Sequence, residues 1–360
     1  MRVVLTETSK SKPGEFLGVQ ALRGVAACMV VVIHATHEWA QKFQGSKIWW
    51  PGQAGVDVFF VISGFVMVLS SHGKGHNNNP ALRFLERRII RVVPLYWIIS
   101  SIVLMKFWLL KLNPHLANYS FNVQTPFAYV AASFLFIPYR NSIGEIEPLL
   151  AAGWSLSFEM FFYLLFATAL ALRLNIIRFL TVAIVSLVTI GLFYKPTWPV
   201  FIVLTQPIML EFLAGTLIGH LIIKGYKIGP LLCFAMGAGS VAALLMVTGK
   251  ANELRLLQMG IPAALLVLCI VMQERRLGAL CPAWMLVLGD ISYSLYLVHM
   301  LVIAVIVKPL AMIAGSNSWL TELLATIALL CASILTSLLL YRFVEKPLNN
   351  IFRRKLLKRT

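Results

Sequence analysis

Charge is scarce in this chain. Only 12% of its 360 residues are Asp, Glu, Lys or Arg, about half the share of a soluble domain. The shortage is one-sided, with 14 acids against 31 bases and a formal net charge of +17. On a soluble protein that balance would suggest a nucleic-acid partner. Here the bases sit in short segments between apolar runs, where the positive-inside rule accounts for most of them. The five cysteines, Cys28, Cys233, Cys269, Cys281 and Cys331, are scattered and show no CxxC spacing, so they read as small packed side chains rather than a disulfide framework or a metal site. The sequence has no GxSxG elbow, no HExxH, no Walker A loop and no GxGxxG between a strand and a helix. Serine hydrolases of the elbow type, zincins and nucleotide-fold enzymes therefore lack their signatures. The first fifteen residues are polar and do not resemble a cleaved signal peptide.

What the chain has is apolar length. It is 59% hydrophobic, with a mean hydropathy of +0.82. Continuous apolar runs of about 18 to 23 residues imply an all-α, polytopic membrane helical bundle. An outer-membrane barrel would alternate polar and apolar residues instead. Ten spans are expected, at 17–39, 54–71, 90–111, 152–172, 179–195, 199–223, 230–248, 256–273, 284–307 and 319–342. The stretch Thr125–Pro138 is apolar but too short to cross, and is expected as a re-entrant or interfacial helix in the longest external loop. With the N-terminus inside, most Lys and Arg fall in internal segments, so both termini are expected to be cytoplasmic. The corresponding division is a cytoplasmic tail over 1–15, a transmembrane domain over 16–345 and a basic cytoplasmic tail over 346–360, whose RRKLLKR suits anionic lipid.

Ionisable groups inside such spans are expensive and rarely face lipid. Arg23 and His34 lie in the first span, eleven residues apart. That spacing puts them on one helix face, about 16 Å apart along the axis. His34 is either a packing histidine or a general base able to take a proton from a hydroxyl. Asp57 and Glu159 enter the second and fourth spans from outside, near the depth of His34, and either carboxylate could orient it. At the inner end, Arg83, Arg87, Arg88 and Arg91 open the third span. Arg88 and Arg91, at i and i+3, share a face, and guanidinium groups match phosphate oxygens. They are either topology anchors or, with Arg23, a site for a phosphorylated cytoplasmic ligand. In the ninth span Gly289, Ser292 or Tyr293, Tyr296 and His299 recur every three to four residues as a polar stripe, either a structural ladder or the lining of a path. Asp290 lies near the inner end of that span, and Gln206 and Glu211 in the sixth span are weaker candidates.

These residues fall in a familiar order. Arg23 and His34 form an Arg–x10–His pair. GVDVFFVISGF carries Asp57, and Arg88 and Arg91 form an RxxR. The blocks GWSLSFEMFFY and ISYSLYLVH and the terminal RFVEKPL follow. Together they make the chain resemble the acyltransferase 3 family of integral membrane proteins over nearly its whole length, and most of all its bacterial exopolysaccharide O-acetyltransferases. The resemblance implies an enzyme of the cytoplasmic (inner) membrane that moves an acyl group, usually acetyl, from acetyl-CoA or another acyl-CoA to a hydroxyl of a surface polysaccharide or its lipid-linked precursor. It implies no metal and no nucleic-acid partner, and contact with membrane lipids. In the family's pattern Arg23, His34, Arg88 and Arg91 are the residues expected to matter most. The physical reading fits it: Arg88, Arg91 and Arg23 would hold coenzyme A phosphates, and His34, oriented by Asp57 or Glu159, would deprotonate the hydroxyl. Tyr293, Tyr296 and His299 would line the path. The rival readings are a transporter of a lipid-linked saccharide using the same charged residues, and a membrane hydrolase pairing His34 with a serine.

Overall fold

A computed structural model describes residues 16–72, 79–112, 126–250, 253–315 and 318–357. The expected tail over 1–15 lies outside the described residues. Fourteen α-helices are found among those described, and the only β pairing there is an isolated bridge between Arg140 and Ile146.

Helices stand at all ten expected positions, but not all are spans in their own right. Seven are long and apolar enough to cross a membrane. They fall in α1 (Leu17–Ala40), α2 (Ala54–Ser71), α3 (Pro80–Leu112), α5 (Gly153–Ala171), α6 (Ile176–Phe193), α12 (Ala283–Ala314) and α13 (Trp319–Leu340). An eighth is reached if α10 (Ile261–Met272, preceded by a π turn over Leu256–Gly260) and α11 (Glu274–Leu280) count as one span bent by 87°. The expected run 199–223 is broken into α7 (Pro199–Leu204) and α8 (Met209–Ile223). Pro207 sits in the break, where it has no N–H to continue a helix. α8 and α9 (Pro230–Leu245) are apolar but only 15 and 16 residues long.

The third helix starts ten residues before its expected span. At about 1.5 Å per residue, its 33 residues reach roughly 50 Å, against a hydrocarbon core of about 30 Å. Its arginine-bearing first turns therefore project beyond the apolar zone. The short helix expected within Thr125–Pro138 appears as α4 (Phe127–Phe134). It is tied to α3, where Tyr96 donates to the Ser133 carbonyl at 2.9 Å and the Trp97 indole donates to the Phe134 carbonyl at 2.9 Å. At the other end of the chain, α13 runs through a π turn over Tyr341–Glu345 into α14 (Lys346–Leu357). The expected boundary after residue 345 is thus a continuous helical stretch.

Two close crossings set the framework. A Cβ at Gly64 of α2 would lie 2.1 Å from the Phe212 carbonyl, and one at Gly215 of α8 would lie 1.9 Å from the Val61 carbonyl. Only glycine lets these backbones approach so closely, as at other small-residue contacts between membrane helices. α1 and α12 lie side by side and run parallel. Gln20 donates to Asp290 at 2.7 Å near their first turns, and the rings of His34 and His299 meet 5.1 Å apart further along. Between α2, α5 and α8 the core is aromatic, with Phe60 and Phe162 stacked on Phe212 at 4.5 and 4.7 Å.

Candidate active site

The first turns of α3, the start of α1, and α14 converge at one end of the bundle. They enclose a cavity of about 760 Å³ lined by Arg23, Arg83, Arg87, Arg88, Arg91 and Arg353. Only Asp290 and Glu345 among its lining residues are acidic, so its field is strongly positive. Arg88 is buried and held in place. It donates to the Ser70 hydroxyl at 3.1 Å, and its guanidinium lies 5.6 Å from the Phe84 ring centre and 5.7 Å from that of Tyr163. Such a pair of ring contacts favours a cation and fixes the direction of its remaining N–H groups. Glu345 accepts from Ser294.

This basic chamber continues into a narrower cavity of about 120 Å³ that shares Arg23, Arg88, Arg91 and Tyr293 with it. The narrower cavity runs up between α2, α5 and α12, past Ser63 and Glu159, to Ser155 and Tyr296. Glu159, set among phenylalanines in the sequence, is satisfied here. It accepts from Tyr163 at 2.5 Å and from Ser63 at 3.1 Å. Tyr293 donates to the Val92 carbonyl at 2.6 Å, and Tyr296 is hydrogen-bonded to Ser155 at 2.7 Å. The stripe on α12 thus lines a path at Ser292, Tyr293 and Tyr296.

His299 stands beyond Tyr296, with ring centres 6.0 Å apart, and next to His34. Its Nδ1 lies 3.2 Å from the Leu295 carbonyl. A carbonyl only accepts, so Nδ1 carries the proton and Nε2 is left as an acceptor. That Nε2 is buried and has no hydrogen-bond partner among the described residues. It is an orphaned acceptor beside the one histidine that the sequence marks as a base.

The expected carboxylate partners of His34 are engaged elsewhere. Asp57 is wholly buried, and Arg255 clamps it with two hydrogen bonds, Nε to Oδ1 at 3.0 Å and a terminal nitrogen to Oδ2 at 2.8 Å. Glu159 is held by Ser63 and Tyr163. Among the described residues no carboxylate hydrogen-bonds to His34, whose ring neighbour is His299. Nothing in the sequence marks Arg255. It precedes the π turn in a polar connection, where it looks like an ordinary loop charge, and only the fold shows that it reaches Asp57. Its guanidinium also lies 5.9 Å from the Trp154 ring centre. Glu211 is buried beside Asp57 and within electrostatic reach of Arg255. An acid within an apolar run is its one mark in the sequence.

No group of three or more His, Cys, Asp or Glu side chains that could hold a metal ion occurs among the described residues.

A family profile described as an acyltransferase domain matches residues 16–342. The exopolysaccharide production protein ExoZ of Rhizobium meliloti (strain 1021) is 33% identical over 306 residues, covering 82% of this chain and 89% of the relative. The putative membrane-bound transacylase BcsY of Komagataeibacter xylinus is 28% identical over 295 residues, covering 78% and 71%. The O-acetyltransferase OatA of Staphylococcus aureus is 31% identical over 192 residues, covering 49% of this chain and 28% of that protein. No solved structure matches. The profile spans most of the helical bundle, including the narrower cavity and the His34–His299 pair, and the chain belongs to the acyltransferase 3 family of membrane acyltransferases, transferring acyl groups other than aminoacyl groups.

Proposed function

We propose that this enzyme transfers an acetyl group from acetyl-CoA to a hydroxyl of a cell-surface polysaccharide or its lipid-linked precursor, in the bacterial inner membrane with both termini cytoplasmic. The observation that carries the reading is the arginine-lined chamber narrowing into a path between helices. Coenzyme A has that form: a compact polyanion at one end, and a long neutral arm ending in a thioester. Arg88, pre-set by Ser70 and two rings, Arg91 and Arg23 hold the phosphates. The pantetheine arm follows the narrow cavity past Tyr293 towards Tyr296 and Ser155. The roughly 16 Å of helix between Arg23 and His34 is of the order of the arm's reach.

Beyond Tyr296, His34 acts as general base. It takes the proton of the acceptor hydroxyl as the oxygen attacks the thioester carbonyl carbon. Collapse of the tetrahedral intermediate breaks the C–S bond, and the departing thiolate receives that proton from His34. The sum is acyl thioester plus alcohol to ester plus thiol. Asp57 and Glu159 support this site at one remove: Asp57 fixes Arg255, and Glu159 fixes Ser63 and Tyr163 on the wall of the donor path.

The test uses purified enzyme in proteoliposomes, with acetyl-labelled coenzyme A and chemically deacetylated surface polysaccharide from the cells that make the protein. Alkali-labile label is expected in the polysaccharide with wild type and not with His34→Ala at equal protein. Full activity in His34→Ala would remove the proposed base. Movement of a lipid-linked saccharide without acylation would favour a transporter.

A further inference from the structure

On the other side of α5 lies a third cavity, at the end of the bundle opposite the arginine chamber. Its volume is about 130 Å³, against the roughly 10–15 Å³ needed to hold one water. That is room for one sugar ring. It is lined by the segment that follows α4, by the first turns of α5 and by the break between α7 and α8. Irregular backbone at membrane depth is tolerated where it lines a cavity, and the α7–α8 break contributes Gln206 to this one.

Its polar lining is unusual in being unused. Tyr139, Glu147, Trp154, Ser157 and Gln206 all face the cavity. None of these five side chains has a hydrogen-bond partner among the described residues, although Ser157 is buried. By contrast, Ser133, on the same wall, donates to the Tyr129 carbonyl and accepts from the Leu149 amide at 2.9 and 3.0 Å. Ser157 is buried, Glu147 and Trp154 are half-buried, and Tyr139 and Gln206 are exposed, so their hydrogen-bonding groups stand open around one space to a hydroxyl-rich partner.

The cavity wall is also fixed in advance. Besides the two anchors from Tyr96 and Trp97, the Asn141 side chain accepts from the Ile143 and Glu145 amides at 3.1 and 2.9 Å. Arg140 is occupied by the carbonyls of Gly144 and Thr197. No cation lines the cavity, so an anionic ligand finds no counter-charge. Two aromatic faces with hydroxyl, amide and carboxylate groups around them suit a neutral pyranose.

We propose that this cavity binds a neutral sugar residue of the acceptor, approached from the side opposite the acyl donor. The proposal rests on the acyltransferase reading above and adds to it the acceptor's position. The two cavities lie on either side of one step of α5: Trp154 lines the acceptor site, and its neighbour Ser155 lines the head of the donor path.

The test is steady-state kinetics in the same proteoliposomes, varying acetyl-CoA and the deacetylated polysaccharide separately. Tyr139→Ala and Gln206→Ala each remove one contact and are expected to raise the KM for polysaccharide about tenfold, the equivalent of one good hydrogen bond. The KM for acetyl-CoA should stay at the wild-type value. An unchanged polysaccharide KM in both variants overturns the proposal while leaving the transferase reading intact. Failure of wild type to acetylate the polysaccharide at all strikes that reading instead. If Tyr139→Ala does not accumulate in the membrane, Tyr139→Phe replaces it, removing only the unpaired hydroxyl. A rise in polysaccharide KM supports the site, and no rise there or in Gln206→Ala overturns it.

Discussion

The pairing of Asp57 with Arg255 makes an asymmetric prediction. Asp57 is 0% exposed, whereas the Arg255 side chain keeps 21% of its surface. Removing the arginine strands a carboxylate with no access to water and with Glu211 nearby. Removing the carboxylate leaves a guanidinium that still reaches solvent and the Trp154 ring. Breaking a buried pair by deleting one partner costs about 3–5 kcal/mol when the survivor stays buried, and Arg255→Met falls in that class. Asp57→Asn keeps the shape and loses charge-assisted bonding worth roughly 1.5–3 kcal/mol. At roughly 2 °C per kcal/mol for a large chain, Arg255→Met should melt roughly 6–10 °C below wild type, and Asp57→Asn by about half that. The double variant Asp57→Asn/Arg255→Met should recover part of the Arg255→Met loss, because the stranded charge is gone. The assay is the fraction of monodisperse protein left after heating in detergent, read by size-exclusion chromatography. If Arg255→Met is as mild as Asp57→Asn, or the double variant is no better than Arg255→Met, the buried-charge argument is wrong.

Arg88→Ala should raise the KM for acetyl-CoA by roughly 10- to 100-fold, the value of a charge-assisted contact, with the polysaccharide KM unchanged; equal shifts in both would contradict a donor role. Gly215→Val should prevent accumulation in the membrane, because its Cβ would sit 1.9 Å from a backbone oxygen that cannot move aside; wild-type abundance on an immunoblot would refute the close crossing. Burial, with Glu145 nearby, raises the Glu147 carboxyl above its usual range. The fold therefore disfavours the charged form, and stability falls as pH rises through the shifted range. Glu147→Gln should match wild type below about pH 4 and melt higher than wild type at neutral pH, whereas a wild-type melting temperature at neutral pH would refute the shift.

Much of this architecture is legible in the sequence because apolar length and polar interruption are local properties. The helices fall where the runs do, and Arg23, Arg88, Arg91, Tyr293 and Tyr296 line connected cavities because each is a polar side chain that a lipid-facing helix would not keep. Pairing is a different matter. Asp57 and Glu159 read as partners for His34 because they come from spans of similar depth, but depth says nothing about azimuth. Asp57 faces Arg255, 198 residues away in sequence, and Glu159 faces Ser63 and its own next turn. The broken span is hidden for a related reason: the run 199–223 is long enough to cross, and Pro207 within it does not reveal how far the backbone unwinds. The cavity beside α4 has only Gln206 as a sequence signal, because the rest of its lining comes from a loop, the start of one helix and the gap between two others.

The arrangement of serines bears on how the acyl group moves. A serine becomes a useful nucleophile when a base lies within hydrogen-bond reach. Ser155, at the head of the donor path, is bonded to Tyr296 and to the Ala152 carbonyl at 3.3 Å, neither of which is a base at neutral pH. Ser63 does meet a carboxylate, Glu159, but that carboxylate is already engaged: it also accepts from Tyr163 and shares its cavity with Arg23, Arg88 and Arg91. His34 and His299 are paired with each other rather than with a hydroxyl. On the proposed reading this favours direct transfer, in which the nucleophile is the hydroxyl that the acceptor brings with it. An acceptor site separate from the donor path fits that requirement, since the two substrates must then meet in one complex before any bond to the acyl group changes.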